Sequence, residues 1–192
     1  MGKERLLAFT DGVIAIIITI MVLDLKVPHD PSLHALAAVI PVLFNYVLSF
    51  LYVAIYWNNH HHFFHPVHNV NGAILWANMH LLFWLSLIPF ATAWMGETHF
   101  SGIPTAVYGL ALLMPALAWS MMQRVVLRKE GRDSVLTHAI GRDIKGKISP
   151  ALYIAGIAAA FLDTHLAEAI YVLVALMWLI PDRRIERAID SL

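Results

Sequence analysis

The chain has 192 residues, no cysteine and a formal net charge of zero. Hydrophobic residues make up 59% of it and charged residues only 14%, whereas about 25% of the residues of a soluble domain are charged. This composition excludes a soluble globular protein and indicates an integral membrane protein. The missing cysteines exclude disulfides and thiolate metal sites, and the zero net charge gives no reason to expect a nucleic-acid partner.

Six stretches of the chain are apolar enough to cross a bilayer, whose hydrocarbon core requires about 20 apolar residues per helix. They lie at about 6–25, 33–57, 73–95, 103–122, 148–163 and 166–180. Only three residues separate the last two stretches, which are short, so they form either a tight helical hairpin or one broken or re-entrant pair. We therefore predict an all-α polytopic protein that forms a single transmembrane domain over residues 1–192.

The distribution of lysine and arginine predicts the orientation, because basic loops stay in the cytoplasm. With six spans, twelve of these residues fall on one side and only Lys26 falls on the other. Five or seven spans would place the C-terminal arginines outside. The sequence thus predicts that both termini are cytoplasmic and that the protein lies in the inner (plasma) membrane as a multi-pass protein.

The first span carries a stripe of residues spaced 4, 3, 4, 3 and 4 apart, which covers about 80° of a helical surface. Its members are Arg5, Phe9, Gly12, Ile16, Thr19 and Leu23. Such spacing suits a helix that packs against copies of itself. The Thr19 hydroxyl either belongs to this face functionally or only bonds a carbonyl one turn back. Periodicity alone does not select the stripe, since Val13, Ile17 and Ile20 are equally apolar.

Asp11 lies on the opposite side of the first helix from this stripe. A carboxylate costs about 2.5 to 3.5 kcal/mol at the centre of a membrane helix and less near its end. We therefore expect Asp11 to bind a partner on another helix, with histidine as the first candidate. In the alternative interpretation, Thr10 and Asp11 only cap a helix that begins at Gly12.

The second span has a polar stripe of its own and ends in a histidine-rich segment. The stripe contains Asn45, Ser49, Tyr52 and Tyr56, and the segment runs from Trp57 through His60 and His61 to His68. The predicted orientation brings this segment to the same side as Arg5 and Asp11. We expect a network of Arg, Asp, His and Trp side chains there. A metal site on His61, His65 and His68 is the alternative, but the other histidines are scattered, so we expect neither a metal nor a cofactor.

These motifs resemble those of the bacterial members of the transmembrane protein 175 potassium-channel family. The signature of that family is an Arg, three residues and then Phe-Ser-Asp. Arg5, Phe9, Thr10 and Asp11 match it, with a threonine that keeps the hydroxyl of the serine. Further similar segments are residues 12–16, 23–25, 56–57, 59–61 and 87–90, together with Thr92. The specific matches are confined to the first three spans.

The resemblance implies a potassium-permeable cation channel in which four copies of the chain surround a pore lined by the first helix. Such channels lack the Thr-Val-Gly-Tyr-Gly filter, which is also absent from this sequence. The family pattern assigns the hydrophobic constriction to Ile16, a hydroxyl ring that helps to select potassium to Thr19, and a further aliphatic ring to Leu23. The expected partners are copies of the chain, monovalent cations and membrane lipid.

The remaining signature residues would brace the inner end of the pore helix. This set contains Arg5, Phe9, Thr10, Asp11, Trp57, His60 and His61. At the outer end, a ring of Asp24 carboxylates would attract cations, unless Asp24 pairs with Lys26.

Two other classes of function stay open from the sequence. A proton-coupled or metal-ion secondary transporter would use Asp11 and the histidines from His60 to His68 as its exchange site. A structural or interaction protein would carry no ion at all. We do not expect an enzyme, because the sequence has no nucleophile with an adjacent base, no specific metal-ligand box and no phosphate loop.

Overall fold

The computed structural model describes residues 2–131, 134, 136 and 143–179. These residues form seven α-helices and no strand, so the predicted all-α class is confirmed for them. The helices are α1 (Lys3–Met21), α2 (Leu33–Phe64), α3 (Gly72–Leu85), α4 (Ile88–Glu97), α5 (Gly102–Glu130), α6 (Ile144–Ala159) and α7 (Thr164–Leu179). A 3-10 turn at Val22–Asp24 extends α1.

The third predicted span is two helices rather than one, because the helix is interrupted at Ser86 and Leu87, between α3 and α4. Pro89 lies in the first turn of α4, where its missing N–H costs no helical hydrogen bond. The Ser86 hydroxyl donates to the Phe83 carbonyl at 2.7 Å, and the Thr92 hydroxyl donates to the Ile88 carbonyl at 2.8 Å. These side chains provide hydrogen bonds near the break, as membrane helices require.

Four segments of the described chain are long and apolar enough to cross a membrane: Lys3–Asp24, Leu33–Phe64, Gly72–Glu97 and Gly102–Glu130. Helix α6 has 16 residues, or about 24 Å at 1.5 Å per residue, which is less than the core thickness of about 30 Å, and α7 is described over the 16 residues up to Leu179. They are separate helices that pack on each other and on α5. Gly109 and Gly156 make room for Tyr171, whose ring and hydroxyl occupy the space that a Cβ at either glycine would need.

Helix α1 buries one face only. Leu6, Thr10, Ile14, Ile17 and Met21 lie in the protein interior, where the four apolar members belong to a core shared with α2, α3 and α5. A second core joins the middle of α2 to α4, α5, α6 and α7. The opposite face of α1 is exposed among the described residues of the single subunit, and this asymmetry positions the candidate site.

Helix α2 is longer than the span predicted from its hydropathy. It continues beyond Trp57 to Phe64, and Phe63 and Phe64 are completely buried. The length of an apolar run predicts how much of a helix lies within the membrane. The helix itself can continue beyond that run where tertiary packing stabilises it. As a result, Trp57 and His60 lie on the same continuous helix.

Candidate functional site

The stripe on α1 that was predicted from spacing is the exposed face of that helix in the single subunit. Ile16 is 58% exposed and Leu23 is 79% exposed, whereas Ile17 is only 4% exposed. Arg5, Phe9, Gly12 and Thr19 are exposed as well. The fold therefore separates Ile16 from its equally apolar neighbour Ile17, which the periodicity of the sequence did not do.

The Thr19 hydroxyl bonds the backbone of its own helix. Its Oγ1 lies 2.9 Å from the Ala15 carbonyl oxygen and 3.1 Å from that of Ile16. A hydroxyl has one proton and two lone pairs, so donation to these carbonyls leaves the lone pairs of Oγ1 available on the exposed face. The local bond is thus compatible with an oxygen that accepts from, or coordinates, a species outside the subunit.

Asp11 binds the second helix through an indole rather than an imidazole. Trp57 Nε1 donates to Asp11 Oδ1 at 2.9 Å, so the expectation of a histidine partner was wrong, whereas the expectation of an interhelical partner was right. The alternative in which Thr10 and Asp11 cap a helix starting at Gly12 was also wrong, because α1 begins at Lys3. An indole N–H satisfies a carboxylate without adding a second titratable group.

Thr10 joins a buried chain of hydrogen bonds that crosses three helices. Asn78 Nδ2 on α3 donates to Thr10 Oγ1 at 2.9 Å, and Asn78 Oδ1 lies 2.9 Å from His60 Nε2 on α2. All three residues are at most 3% exposed. Because the amide oxygen can only accept, His60 Nε2 carries the proton in this arrangement. The His60 ring also stacks on Phe64, with the ring centroids 4.5 Å apart.

Sequence reasoning missed Asn78. The signal that could have identified it is an amide within the largely apolar run of α3, since a polar side chain inside a membrane helix requires a partner. In the structure Asn78 is the central member of the chain, and it connects the signature threonine of α1 to the histidine-rich end of α2.

The other residues predicted to brace this end of α1 lie near the Asp11–Trp57 bond and the Thr10–Asn78–His60 bonds without taking part in them. The guanidinium of Arg5 forms no ion pair or hydrogen bond with another described residue, and Phe9 is 49% exposed. His61 is exposed, and its ring centroid lies 6.2 Å from that of Trp57. Lys3 Nζ donates to the His65 carbonyl at 2.8 Å, which adds a second direct connection between the N-terminal part of α1 and the C-terminal end of α2.

At the opposite end of α1, Lys26 pairs with Glu97 instead of Asp24. Lys26 Nζ lies 2.7 Å from Glu97 Oε1, which connects the segment after α1 to the last residue of α4. The alternative in which Asp24 pairs with Lys26 was therefore wrong. The Asp24 side chain is half-buried and has no ion-pair partner among the described residues.

The histidine-rich segment does not form a metal centre in the described part of the chain, where no three His, Cys, Asp or Glu side chains converge to hold an ion. His60 is buried against Asn78, whereas His61, His65 and His68 are exposed. The buried His60 side chain therefore lies on a different face of the segment from the exposed histidines.

The polar stripe of α2 points into the subunit, away from the exposed face of α1. Asn45 Nδ2 donates to the Thr92 carbonyl at 2.7 Å, the Thr92 and Ser49 hydroxyl oxygens lie 2.7 Å apart, and Ser49 Oγ lies 2.9 Å from the Tyr108 hydroxyl. These bonds connect α2 to α4 and α5. The stripe stabilises the packing of the helices.

Known proteins are similar to this chain in sequence and in the arrangement of their helices. The family described as the endosomal/lysosomal potassium channel TMEM175 matches residues 5–89. A potassium channel of Chryseobacterium sp. (strain P1-3) is 53% identical over 191 residues, which covers 100% of both chains. A potassium channel of Streptomyces collinus is 38% identical over 62% of this chain and 61% of its own.

A solved structure has a similar fold. The crystal structure of a lysosomal potassium-selective channel TMEM175 homolog from Chamaesiphon minutus superposes with a TM-score of 0.79. The match covers 94% of this chain and 97% of that one, at 24% sequence identity. At this identity the superposition establishes that the two proteins share their fold.

Proposed function

Because the chain belongs to the TMEM175 potassium-channel family, we propose that it conducts potassium ions across the inner membrane through a pore lined by α1 from four copies of the chain. The observation that carries this proposal is the exposed stripe of α1. A lipid-facing helix surface is predominantly apolar, but this one combines Ile16 and Leu23 with the polar side chains of Arg5 and Thr19. Polar groups in membrane helices face other helices or water-filled cavities.

Ile16 forms the constriction in this proposal. Four isoleucine side chains around an axis exclude water, and an ion that passes them loses hydration without receiving protein oxygens in exchange. Conduction therefore requires the Ile16 side chains to withdraw or the helix to rotate. The 58% exposure of Ile16 in the isolated subunit supports its availability for such a ring.

Thr19 supplies the oxygens that the constriction lacks. It follows Ile16 by three residues, or about 4.5 Å along the helix axis, and its hydroxyl proton is directed to the Ala15 or Ile16 carbonyl. Four Oγ1 lone pairs facing the axis would replace part of the hydration shell of a cation beside the isoleucine ring. Leu23 forms the next apolar ring toward the outer end.

The bonds of Thr10 and Asp11 set the rotation of α1 about its own axis. The two residues are consecutive, so their side chains project about 100° apart, and they bind α3 and α2 respectively. A helix that is held on two sides cannot turn without breaking at least one of these bonds. The bonds thereby determine which side chains α1 presents to the pore.

At the outer end, Asp24 carboxylates raise the local concentration of cations.

The test is potassium and sodium flux in liposomes, measured for Ile16→Asn and for the matched control Ile40→Asn. Ile40 lies on α2 and is 59% exposed, close to the 58% of Ile16. We expect Ile16→Asn to increase flux and reduce the preference for potassium, because an amide hydrates the constriction, while Ile40→Asn changes neither. Normal flux and selectivity in an assembled Ile16→Asn protein would contradict the pore assignment. A flux that requires a proton gradient would favour an exchange transporter.

A further inference from the structure

A narrow cavity lies inside the subunit where α2, α5, α6 and α7 meet, close to the histidine-rich end of α2. Its volume is about 30 Å³, and its wall is mainly apolar with a smaller polar part. Each of the four helices contributes at least one aromatic ring to the wall, and these rings include Tyr56, Trp119, Tyr153 and Trp178. The cavity is therefore a junction of four helices toward the end of the subunit that is predicted to be cytoplasmic.

The size and the charge of the cavity limit what it can bind. One water molecule needs about 10 to 15 Å³ of such space, so a cavity of about 30 Å³ accommodates one or two waters but not an organic molecule. No charged side chain of the described residues lines it. A buried ion needs an opposite charge or a set of oxygen ligands, which a mainly aromatic wall does not supply. Water is therefore the ligand whose size and charge fit.

The polar groups of the wall decide between a dry and a hydrated cavity. The Trp119 indole N–H, the Tyr56 hydroxyl and the Asn59 amide belong to lining residues and form no hydrogen bond with another described residue. Trp119 is only 6% exposed, so its N–H has little contact with solvent outside the subunit. Buried polar groups are almost always bonded to protein or to ordered water, whereas cavities that stay empty are apolar. The wall is therefore typical of a hydrated cavity.

Two serine hydroxyls in the wall supply acceptors for such a water. The Ser120 hydroxyl donates to the Ala116 carbonyl at 3.0 Å. The Ser149 hydroxyl donates to the Lys145 carbonyl and accepts from the Trp178 indole N–H, both at 2.8 Å. A hydroxyl oxygen has two lone pairs, so Ser120 retains two acceptor positions and Ser149 retains one. Donors and acceptors are thus both available at the cavity.

The unpartnered groups of α2 and α5 belong to residues that lie side by side, because the Tyr56 and Trp119 rings pack edge to face with their centroids 6.3 Å apart. A buried water typically forms about three hydrogen bonds. From these features we propose that the cavity binds one or two ordered water molecules, which accept from the Trp119 N–H, bond the Tyr56 hydroxyl and donate to a serine oxygen. The water connects α2 to α5 and α6 beside Trp57, the residue that holds Asp11 of α1. Its binding does not depend on conduction, so it is measured without flux.

The first experiment determines the structure of the unmodified protein in lipid nanodiscs at a resolution that shows ordered water. We expect compact density in the cavity at about 2.7 to 3.2 Å from Trp119 Nε1, the distance of a hydrogen-bonded oxygen. An empty cavity would overturn the proposal. Elongated density from a lipid or another organic molecule would overturn it as well.

The second experiment detects the water in solution through the indole N–H signals of the six tryptophans. In protein with isotope-labelled tryptophan, we expect through-space magnetisation transfer from water to the Trp119 N–H. Ala116→Val adds two methyl groups at a lining residue, so it should fill the cavity and abolish this transfer. Ala155→Val, the same change at an exposed alanine of α6, is the control and should leave the transfer intact.

A tyrosine hydroxyl that exchanges its proton with solvent could also relay magnetisation to the indole. Tyr56 is unchanged in Ala116→Val, so a loss of transfer in that variant identifies water rather than the hydroxyl as the source. Equal transfer in folded Ala116→Val and in the wild type would overturn the proposal, and so would the absence of transfer to Trp119 in the wild type. If Ala116→Val does not fold, the structure of the unmodified protein decides.

Discussion

The indole nitrogen of Trp57 on α2 lies 2.9 Å from a carboxylate oxygen of Asp11 on α1. The preceding residue, Thr10, accepts a hydrogen bond from Asn78 on α3 at the same distance. Two consecutive residues of α1 are thereby bound to two different helices. The rotation of α1, and with it the direction of Ile16 and Thr19, depends on bonds formed about one and a half to two and a half turns earlier in the helix.

The Trp57–Asp11 bond predicts an unequal effect of two substitutions at position 11. Asp11→Asn keeps an oxygen that accepts from the indole, whereas Asp11→Leu leaves the Trp57 N–H without its acceptor. A hydrogen bond to a charged group contributes about 1.5 to 3 kcal/mol, so we expect Asp11→Leu to lower the melting temperature in detergent clearly more than Asp11→Asn. Trp57→Phe should resemble Asp11→Leu. If the two substitutions at position 11 melt at the same temperature, the bond does not stabilise α1.

Removing the Thr19 hydroxyl should change ion selectivity without changing the fold. Thr19→Val has nearly the same shape but no hydroxyl, and Thr19→Ser keeps the hydroxyl. Under the proposed function, Thr19→Val should reduce the ratio of potassium to sodium permeability by roughly tenfold, which corresponds to about 1.4 kcal/mol, because the cation loses oxygen ligands. Reversal potentials under bi-ionic gradients measure this ratio. Equal ratios in the Val and Ser variants would remove Thr19 from the ion pathway.

Replacing Asn78, which lies far from the proposed ion pathway, should reduce the stability of the protein. In Asn78→Leu, both His60 Nε2 and the Thr10 hydroxyl lose their partner inside the protein, and each unsatisfied buried group costs about 1 to 3 kcal/mol. Asn69→Leu is the matched control, since Asn69 is exposed in the segment before α3, and it should change stability by less than about 0.5 kcal/mol. Thermal unfolding in detergent compares them. Similar melting temperatures of the two variants would show that the hydrogen bonds of Asn78 do not contribute to stability.

The Lys26–Glu97 pair predicts an effect on conduction that depends on salt. Lys26→Gln removes the cation from Glu97 and makes the outer end of α1 more negative. If Asp24 and Glu97 lie near the pore entrance, inward potassium flux should rise at low ionic strength. The increase should disappear near 1 M salt, where the screening length is about 3 Å. Lys26→Arg preserves the charge and serves as the control. An increase that persists in high salt would indicate a structural rather than an electrostatic effect.

Local sequence predicted the membrane helices well because crossing a bilayer is a property of one continuous stretch. The first, second and fourth apolar segments are single long helices, and the last two are separate helices. The only sequence signal for the break in the third segment is Pro89. A proline can bend a helix or stop it, and which of these occurs depends on whether neighbouring groups satisfy the freed carbonyls.

The candidate site was predicted less completely, because side-chain partners come from distant parts of the chain. Position within α1 identified Asp11 as a residue that needs a partner, whereas Thr10 was identified only as a member of the family signature. The sequence alone could not choose Trp57 over a histidine for Asp11, since both lie in one segment of α2 and both carry ring N–H groups. Asn78 was not recognised at all, because a single amide in an apolar helix carries no spacing signal.

The sequence by itself determined that this is an all-helical membrane protein, and it located the 4-3-4 stripe on α1, because hydropathy and helical period are set by residues close together in the chain. Only the tertiary structure decided that this stripe is exposed while Ile17 is buried. It also decided that Asp11 binds Trp57, that Thr10 reaches His60 through Asn78, and that Lys26 binds Glu97. These contacts depend on how the helices pack, and packing is set by the shapes of many side chains at once rather than by any single segment.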